Sequence, residues 1–284
     1  MLLLASAAAI VAGALVVHDD GQDRVVTASP PARAAQSVGV AGDRAKEQRR
    51  PRPAPDLPTA EGLAAAHRYA ARRGGLVSFA AIDSEGRLYG RDLERLYSAA
   101  STVKAMLLAA EIDRLERGGL PLDDGTDALL RSMIVFSDND AADAIHARVG
   151  EAGMFAVAER AGMTRFTEAG HWGNAQIDAA DLARFYWRLG ELMDGPHREF
   201  ALGLLGSVTA TQGWGIPAAA GDAWAVRFKG GWLPGRGLAH QGAELRERGG
   251  DDQLALAVLT DAQPSHEYAT ETIRGVAARL LSGG

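Results

Sequence analysis

The chain has 284 residues, 47% of them hydrophobic and 23% charged, enough apolar material for a sizeable globular core. Its formal charge of −6 argues against a nucleic-acid partner, which calls for a basic face. It has no cysteine, so disulfides, thiol catalysis and cysteine-ligated metals are excluded.

The first element in chain order is an apolar run over residues 2–17, LLLASAAAIVAGALVV. It is short for a membrane span and close to the apolar core of a signal peptide, with Ala12-Gly13-Ala14 as a small-residue cleavage site. The positive segment that normally precedes such a core is missing. Residues 1–17 are therefore expected to be a signal peptide or membrane anchor, and the protein extracytoplasmic, secreted or tethered. Residues 18–57 mix Pro, Ala, Gly and both signs of charge without helical or strand periodicity, and include Arg49-Arg50-Pro51-Arg52-Pro53. Such a stretch buries too little apolar area to order itself and is expected to be a disordered linker. Residues 58–284 remain as one domain without internal repeats, expected to be a monomer.

The domain opens with an amphipathic helix predicted over 59–73 and ended by Gly74-Gly75. Runs over 76–82 and 87–92 around the turn Asp83-Ser84-Glu85-Gly86 predict a β-hairpin. Over 101–116 one stripe carries Val103, Met106, Leu107 and Ala110, and a second carries Leu108, Ile112 and Leu115, which predicts a helix buried on two sides. Helices are predicted over 126–135, 139–149, 152–161, 178–191 and 197–205, then strands over 223–228, 237–246 and 254–259, and a closing helix over 266–281. This order implies an α+β domain. Its five-stranded antiparallel sheet is assembled from both ends of the chain and flanked by the N- and C-terminal helices, beside an all-helical lobe.

Chemistry gathers at the lysines. Of thirty basic residues only Lys46, Lys104 and Lys229 are lysine, and Lys46 lies in the linker. A lysine amine can lose its proton inside a protein and act as a base, which arginine cannot do. Ser101-Thr102-Val103-Lys104 places serine and lysine on one helix face, so the amine can take the serine proton once burial lowers its pKa. The helix N-terminus would favour an oxyanion on an acylated carbonyl. Ser137-Asp138-Asn139 lies between two helices, where Ser137 could relay a proton and Asn139 could bind a substrate amide. Lys229-Gly230-Gly231 ends a predicted strand. Its glycines would admit a substrate backbone, and Lys229 would supply charge toward a carboxylate. Read singly, these motifs are also an N-cap, a helix cap and a turn.

Taken together and in this order, the three motifs resemble the signature of the penicillin-recognising active-serine hydrolases, and their class A β-lactamase branch most of all. The resemblance runs from about residue 59 to the C-terminus and includes Phe136 to Ala142 and Gly215-Ile216-Pro217 ahead of Trp224. It implies that Ser101 is the acylated nucleophile, Lys104 its base or proton relay, and Ser137 the group that protonates the leaving nitrogen. Asn139 would hold the substrate side-chain amide, and Lys229 the carboxylate. The backbone N–H groups of Ser101 and Trp232 would form the oxyanion hole, with Gly230 and Gly231 lining the substrate. The substrate would be a small molecule, a β-lactam or a peptidoglycan-like acyl compound.

Three departures accompany the resemblance. Gly230 stands where the family has Ser or Thr, so a carboxylate-binding hydroxyl is absent. The stretch from the serine helix to Ser137 is short. The loop after Thr164-Arg165 reads Phe166-Thr167-Glu168-Ala169-Gly170-His171-Trp172-Gly173-Asn174, without the family's Glu-x-x-Leu-Asn motif. Glu168 and His171 are its ionisable candidates for a deacylating base, and deacylation is expected to be slow. Within the enzyme class the alternatives are a D-alanyl peptidase or an esterase. Outside it stands a low-turnover penicillin- or peptidoglycan-binding module. No cofactor is expected: His18, His67, His146, His197, His240 and His266 show no metal-binding spacing, and Gly235-Arg236-Gly237 lacks the strand-to-helix setting of a phosphate loop.

Overall fold

The computed structural model describes residues 57–283. The expected signal or anchor segment, 1–17, and all of the expected linker but its last residue lie outside the described residues. No helix among the described residues is long and apolar enough to cross a membrane.

Helix α1 (Ala60–Ala70) begins at Thr59, whose hydroxyl accepts the Gly62 N–H at 3.0 Å. Strands β1 (Leu76–Ile82) and β2 (Leu88–Arg91) form the expected hairpin. Its turn is organised by Asp83, whose carboxylate accepts the N–H groups of Glu85 and Arg87 at 3.0 and 2.8 Å. A two-residue strand, β3 (Tyr97–Ser98), leads into a 3-10 turn over Ala100–Val103 and then helix α2 (Lys104–Arg117). Helix α3 (Asp124–Val135) precedes α4 (Asn139–Ala161), which is broken at Gly150 (φ 60°, ψ −178°). That break separates the two helices expected over 139–149 and 152–161, since only glycine adopts such a conformation cheaply.

After strand β4 (Gln176–Ile177), which pairs with β3, the chain forms α5 (Ala179–Trp187) and α6 (Leu189–Leu192). One helix was expected over 178–191. Helices α7 (Arg198–Gly206) and α8 (Ile216–Ala220) follow, then β5 (Trp224–Leu233), β6 (Leu238–Glu247), β7 (Gln253–Asp261) and α9 (His266–Leu280). Strand β5 is longer than expected. Lys229-Gly230-Gly231 lies inside it, in continuous register with β6, and the strand runs on to Leu233 rather than ending at the motif.

The sheet is antiparallel throughout, in the order β2-β1-β7-β6-β5, so the first and last strands of the domain meet at the β1–β7 pair. Both faces are covered, and the buried residues of β1 and β7 therefore read as apolar runs. Phe79, Ala81, Leu254, Leu256 and Val258 pack with Ala66, Ile273, Val276 and Leu280 of α1 and α9. Ala80, Ile82, Ala255, Ala257 and Leu259 pack toward the helical lobe, with α2 and α5. Helix α2 is buried from Lys104 through Ile112, as its two apolar stripes require. The domain is thus of the expected α+β class, and its central helix starts beside the edge strand of the sheet, β5.

Candidate active site

Ser101 lies on the 3-10 turn rather than in the first turn of α2, and is partly exposed. The residue before it, Ala100, has φ +46°, a left-handed conformation that costs a residue with a Cβ about 1 kcal/mol or more. The strain is held from both sides, by the Ala99 N–H on Ala175 O at 2.9 Å and the Thr102 hydroxyl on Ala99 O at 2.6 Å. Strand β5 abuts this turn. A Cβ on Gly231 would sit 2.7 Å from Ser101 N and 2.8 Å from Thr102 N, so only glycine fits.

Lys104 and Lys229 converge on Ser137. Lys104 Nζ donates to Ser137 O at 2.6 Å and to Asn139 Oδ1 at 2.7 Å, and lies 3.5 Å from Ser137 Oγ. It is held by these groups and makes no hydrogen bond to the Ser101 hydroxyl. Lys229 Nζ donates to Ser137 Oγ at 3.0 Å, Gln212 Oε1 at 3.1 Å and Gly230 O at 2.9 Å. Ser137 can face both because it too has a positive φ, +64°, which points its carbonyl at Lys104 and its hydroxyl at Lys229. Asp138 does cap α4, accepting the Ala141 N–H at 2.8 Å, so the capping and site readings of Ser137-Asp138-Asn139 both hold, for different residues.

Both lysines are fully buried. Burial pushes Lys104 down to about 8, against the opposing pull of the Asp138 and Asp143 carboxylates. Burial, and then the charge of Lys104, pushes Lys229 down to about 7. By these values alone Lys229 would lose its proton first. The partners do not reverse that order, because each amine has two that can only accept, Gln212 Oε1 and Gly230 O at Lys229 and Ser137 O and Asn139 Oδ1 at Lys104. What sets Lys104 apart is its place at the start of α2, directly after the Ser101 turn.

The loop after α4 is anchored at its base by Asp181, whose carboxylate accepts the N–H groups of Thr164, Arg165 and Phe166. A bridge between Thr167 and Gln176 pinches it. Glu168 is turned inward, where Oε1 meets His146 Nε2 at 2.5 Å and Oε2 is buried without a hydrogen-bond partner. The structure does not bring Glu168 into the lysine network. His171 Nε2 faces Asp143 Oδ1 at 3.0 Å, and its Nδ1 accepts the Gly173 N–H at 3.0 Å, so both ring nitrogens are engaged. The residue that reaches the network is Trp172. Its Nε1 donates to Asp143 Oδ1 at 2.6 Å, and Lys104 Nζ lies 5.0 Å from its ring centroid.

On the opposite side Trp232 is half-buried on β5, its ring centroid 5.7 Å from Lys229 Nζ and 6.2 Å from that of Trp214. Ser101, Lys104, Ser137, Asn139, Lys229, Gly230, Gly231 and Trp232 thus lie in one region. Trp172, Gln212, Asp143 and Trp214 were not foreseen. Among the described residues no group of His, Asp and Glu is placed to hold a metal ion.

The model of the beta-lactamase enzyme family matches residues 125–282, more than half of the chain. The chain belongs to the beta-lactamase enzyme family. The matched segment includes Ser137, Asn139 and Lys229 of this beta-lactamase-family domain and begins after its serine helix. Solved structures extend the likeness across the domain. A beta-lactamase from Sphaerobacter thermophilus superposes with a TM-score of 0.67 at 21% identity, over 78% of this chain and 95% of that one. A class A beta-lactamase from Mycobacterium abscessus gives 0.67 at 19% identity, over 78% and 98%. The protein described as PBP-A gives 0.67 at 16% identity, over 79% and 96%. At these identities the likeness is one of fold. A search of curated proteins found no match.

Proposed function

We propose that this beta-lactamase-family domain is an active-serine acyl hydrolase. Ser101 would be acylated by β-lactams or related acyl-amides and esters, with slow release of the acyl group. The observation that carries this is the shared contact of Lys104 and Lys229 with Ser137, beside the Ser101 turn. Two buried amines this close disfavour double charging, so one is available as a base. Lys104 takes that role: as the neutral amine it accepts the Ser101 proton. Lys229 keeps its charge and orients Ser137, which passes the proton to the leaving group. The N–H groups of Ser101 and Trp232 hold the oxyanion. Location outside the cytoplasm is part of the proposal and rests on the apolar run over 2–17. The test is intact-mass measurement after incubation with a reporter penicillin or a phenylacetyl aryl ester, followed by peptide mapping. An adduct on Ser101, absent in Ser101→Ala, is expected. Labelling of another serine would overturn the assignment.

Slow turnover is supported by the loop. With Glu168 turned onto His146 and its other oxygen buried, and His171 engaged through both nitrogens, neither presents an accessible free atom to a water, and Trp172 lies against Lys104 from the loop side. A positioned general base contributes roughly 10²–10⁴-fold, so its loss should leave a burst of product and a weak steady state. Glu168→Gln is expected to change the steady-state rate by less than about threefold, under ~1 kcal/mol of barrier. Rapid turnover that Glu168→Gln converts into a burst would restore Glu168 as the base. The same geometry favours a low-turnover binding module as the second reading, told apart by the lifetime of the adduct.

A further inference from the structure

A cavity of about 420 Å³ opens at the other end of α4 from Asn139, between Ala161-Gly162, the β1–β2 hairpin and α5. That volume suits a small ligand, and the cavity shares no residue with the site around Ser101. Ile82 and Leu88 of the hairpin and Ala161 give it an apolar floor, and the Trp187 indole forms a wall. Gly86, in the hairpin turn, stands over the edge of that indole, where a Cβ would lie 3.4 Å from Trp187 Cζ2 and 3.8 Å from its Nε1. The indole N–H is buried and has no hydrogen-bond partner. The charge of the cavity is one-sided. Arg184 and Arg188, four residues apart and therefore on one face of α5 and its C-cap, belong to the lining, which has no Asp or Glu among the described residues. Arg184 is committed to the buried Asp181 carboxylate at 2.8 Å. Arg188 is exposed and makes no ion pair among the described residues. One of its N–H groups donates to Arg160 O at 3.1 Å, and the rest of the guanidinium fork is open.

We infer that this cavity binds a small monocarboxylate with an aromatic body, its ring against the Trp187 indole over Ile82 and Leu88 and its carboxylate on Arg188. A carboxylate is planar and takes two parallel N–H donors from one guanidinium. One unpaired positive charge, with no acidic side chain in the lining, matches a single negative charge rather than a phosphate dianion. The aromatic body follows from the wall, because a ring packed offset or edge-on against an indole gains more than its buried area alone. The apolar floor excludes a second charge at the far end of the ligand, where it would lose its water without a partner.

The experiment titrates the full chain with 4-phenylbutyrate, ionised at about pH 7, and separately with 4-phenylbutanamide, which has the same body and no charge. Binding is read from the indole N–H resonances of the five tryptophans in isotope-labelled protein, that of Trp187 being assigned from Trp187→Phe. The acid is expected to shift the Trp187 resonance saturably, with a Kd of roughly 1 mM or below for a ligand this small. The amide is expected to bind about tenfold more weakly, the share of a charge-assisted contact at an exposed arginine. Arg188→Gln, at an exposed position, is expected to weaken the acid by about the same factor and to leave the amide within about twofold. The wild-type comparison of acid and amide decides even if the variant does not fold. No saturable shift at Trp187 up to about 10 mM overturns the inference. Equal binding of acid and amide does so too, as does acid binding that Arg188→Gln leaves unchanged. A shift confined to Trp214 or Trp232 would place the acid at the Ser101 site and overturns it as well.

Discussion

Replacing Lys104 with arginine is expected to slow acylation of Ser101 by roughly 10²–10⁴-fold, the contribution of a positioned general base. Arginine keeps the charge and the approximate length, and it can still donate to Ser137 O and Asn139 Oδ1, which Lys104 holds at 2.6 and 2.7 Å. What it cannot do is give up a proton at accessible pH, so Ser101 is left without an acceptor. The same logic fixes the pH dependence in the wild type. The ammonium form of Lys104 is inert and the amine form active, so acylation should rise with pH through about 8, where burial places this group, and level off above it. In Lys104→Arg that rise should vanish. Single-turnover acylation followed by intact mass across pH 6–10 measures both effects (about the span in which the lysine pair titrates). A variant that acylates within about threefold of wild type, under ~1 kcal/mol of barrier, would make Lys104 a structural cation.

Much of this site was legible because its chemistry is local in sequence. Ser101 and Lys104 lie one helical turn apart, and an arginine-rich chain makes two buried lysines conspicuous. The element order likewise carried the sheet: the β1–β7 pairing that unites the first and last strands of the domain follows from five apolar runs divided two and three around a helical block. What escaped was set by contacts distant in sequence. Trp172 sits among glycines in a loop without periodicity, and only its bond to Asp143, 29 residues away, shows which way it points. Gln212 and Gln241 are polar residues in unpatterned or strand segments, and their burial arises from Lys229 and from each other. Strands β3 and β4 have two residues each, too short for alternation to register. Lys229-Gly230-Gly231 was expected to end its strand because glycine weakens a strand pattern. Here glycine marks the approach of another backbone.

That approach carries the second large effect. Gly231→Ala is expected to reduce acylation by roughly 100-fold, the loss that about 1 Å of misplacement at a reacting centre can cause. The added Cβ would stand 2.7 Å from Ser101 N, 2.8 Å from Thr102 N and 3.1 Å from the Ala100 Cβ. The first two are backbone atoms in a turn already strained at Ala100, so no side chain can swing aside to make room. Strand β5 must move off the turn, or the turn must tilt, and either motion separates the Ser101 N–H from the Trp232 N–H across the developing oxyanion. Overpacking of this kind also costs about 1–3 kcal/mol of stability, so rates should be compared where the variant is folded, as judged by circular dichroism. Gly230→Ala provides the comparison for the stability term, because its Cβ meets only the edge of the Trp214 ring at 3.4 Å and the Gln241 side chain at 3.7 Å. If Gly231→Ala is destabilised yet acylates Ser101 at close to the wild-type rate, the contact between β5 and the serine turn is packing alone, and the oxyanion must be held by other donors.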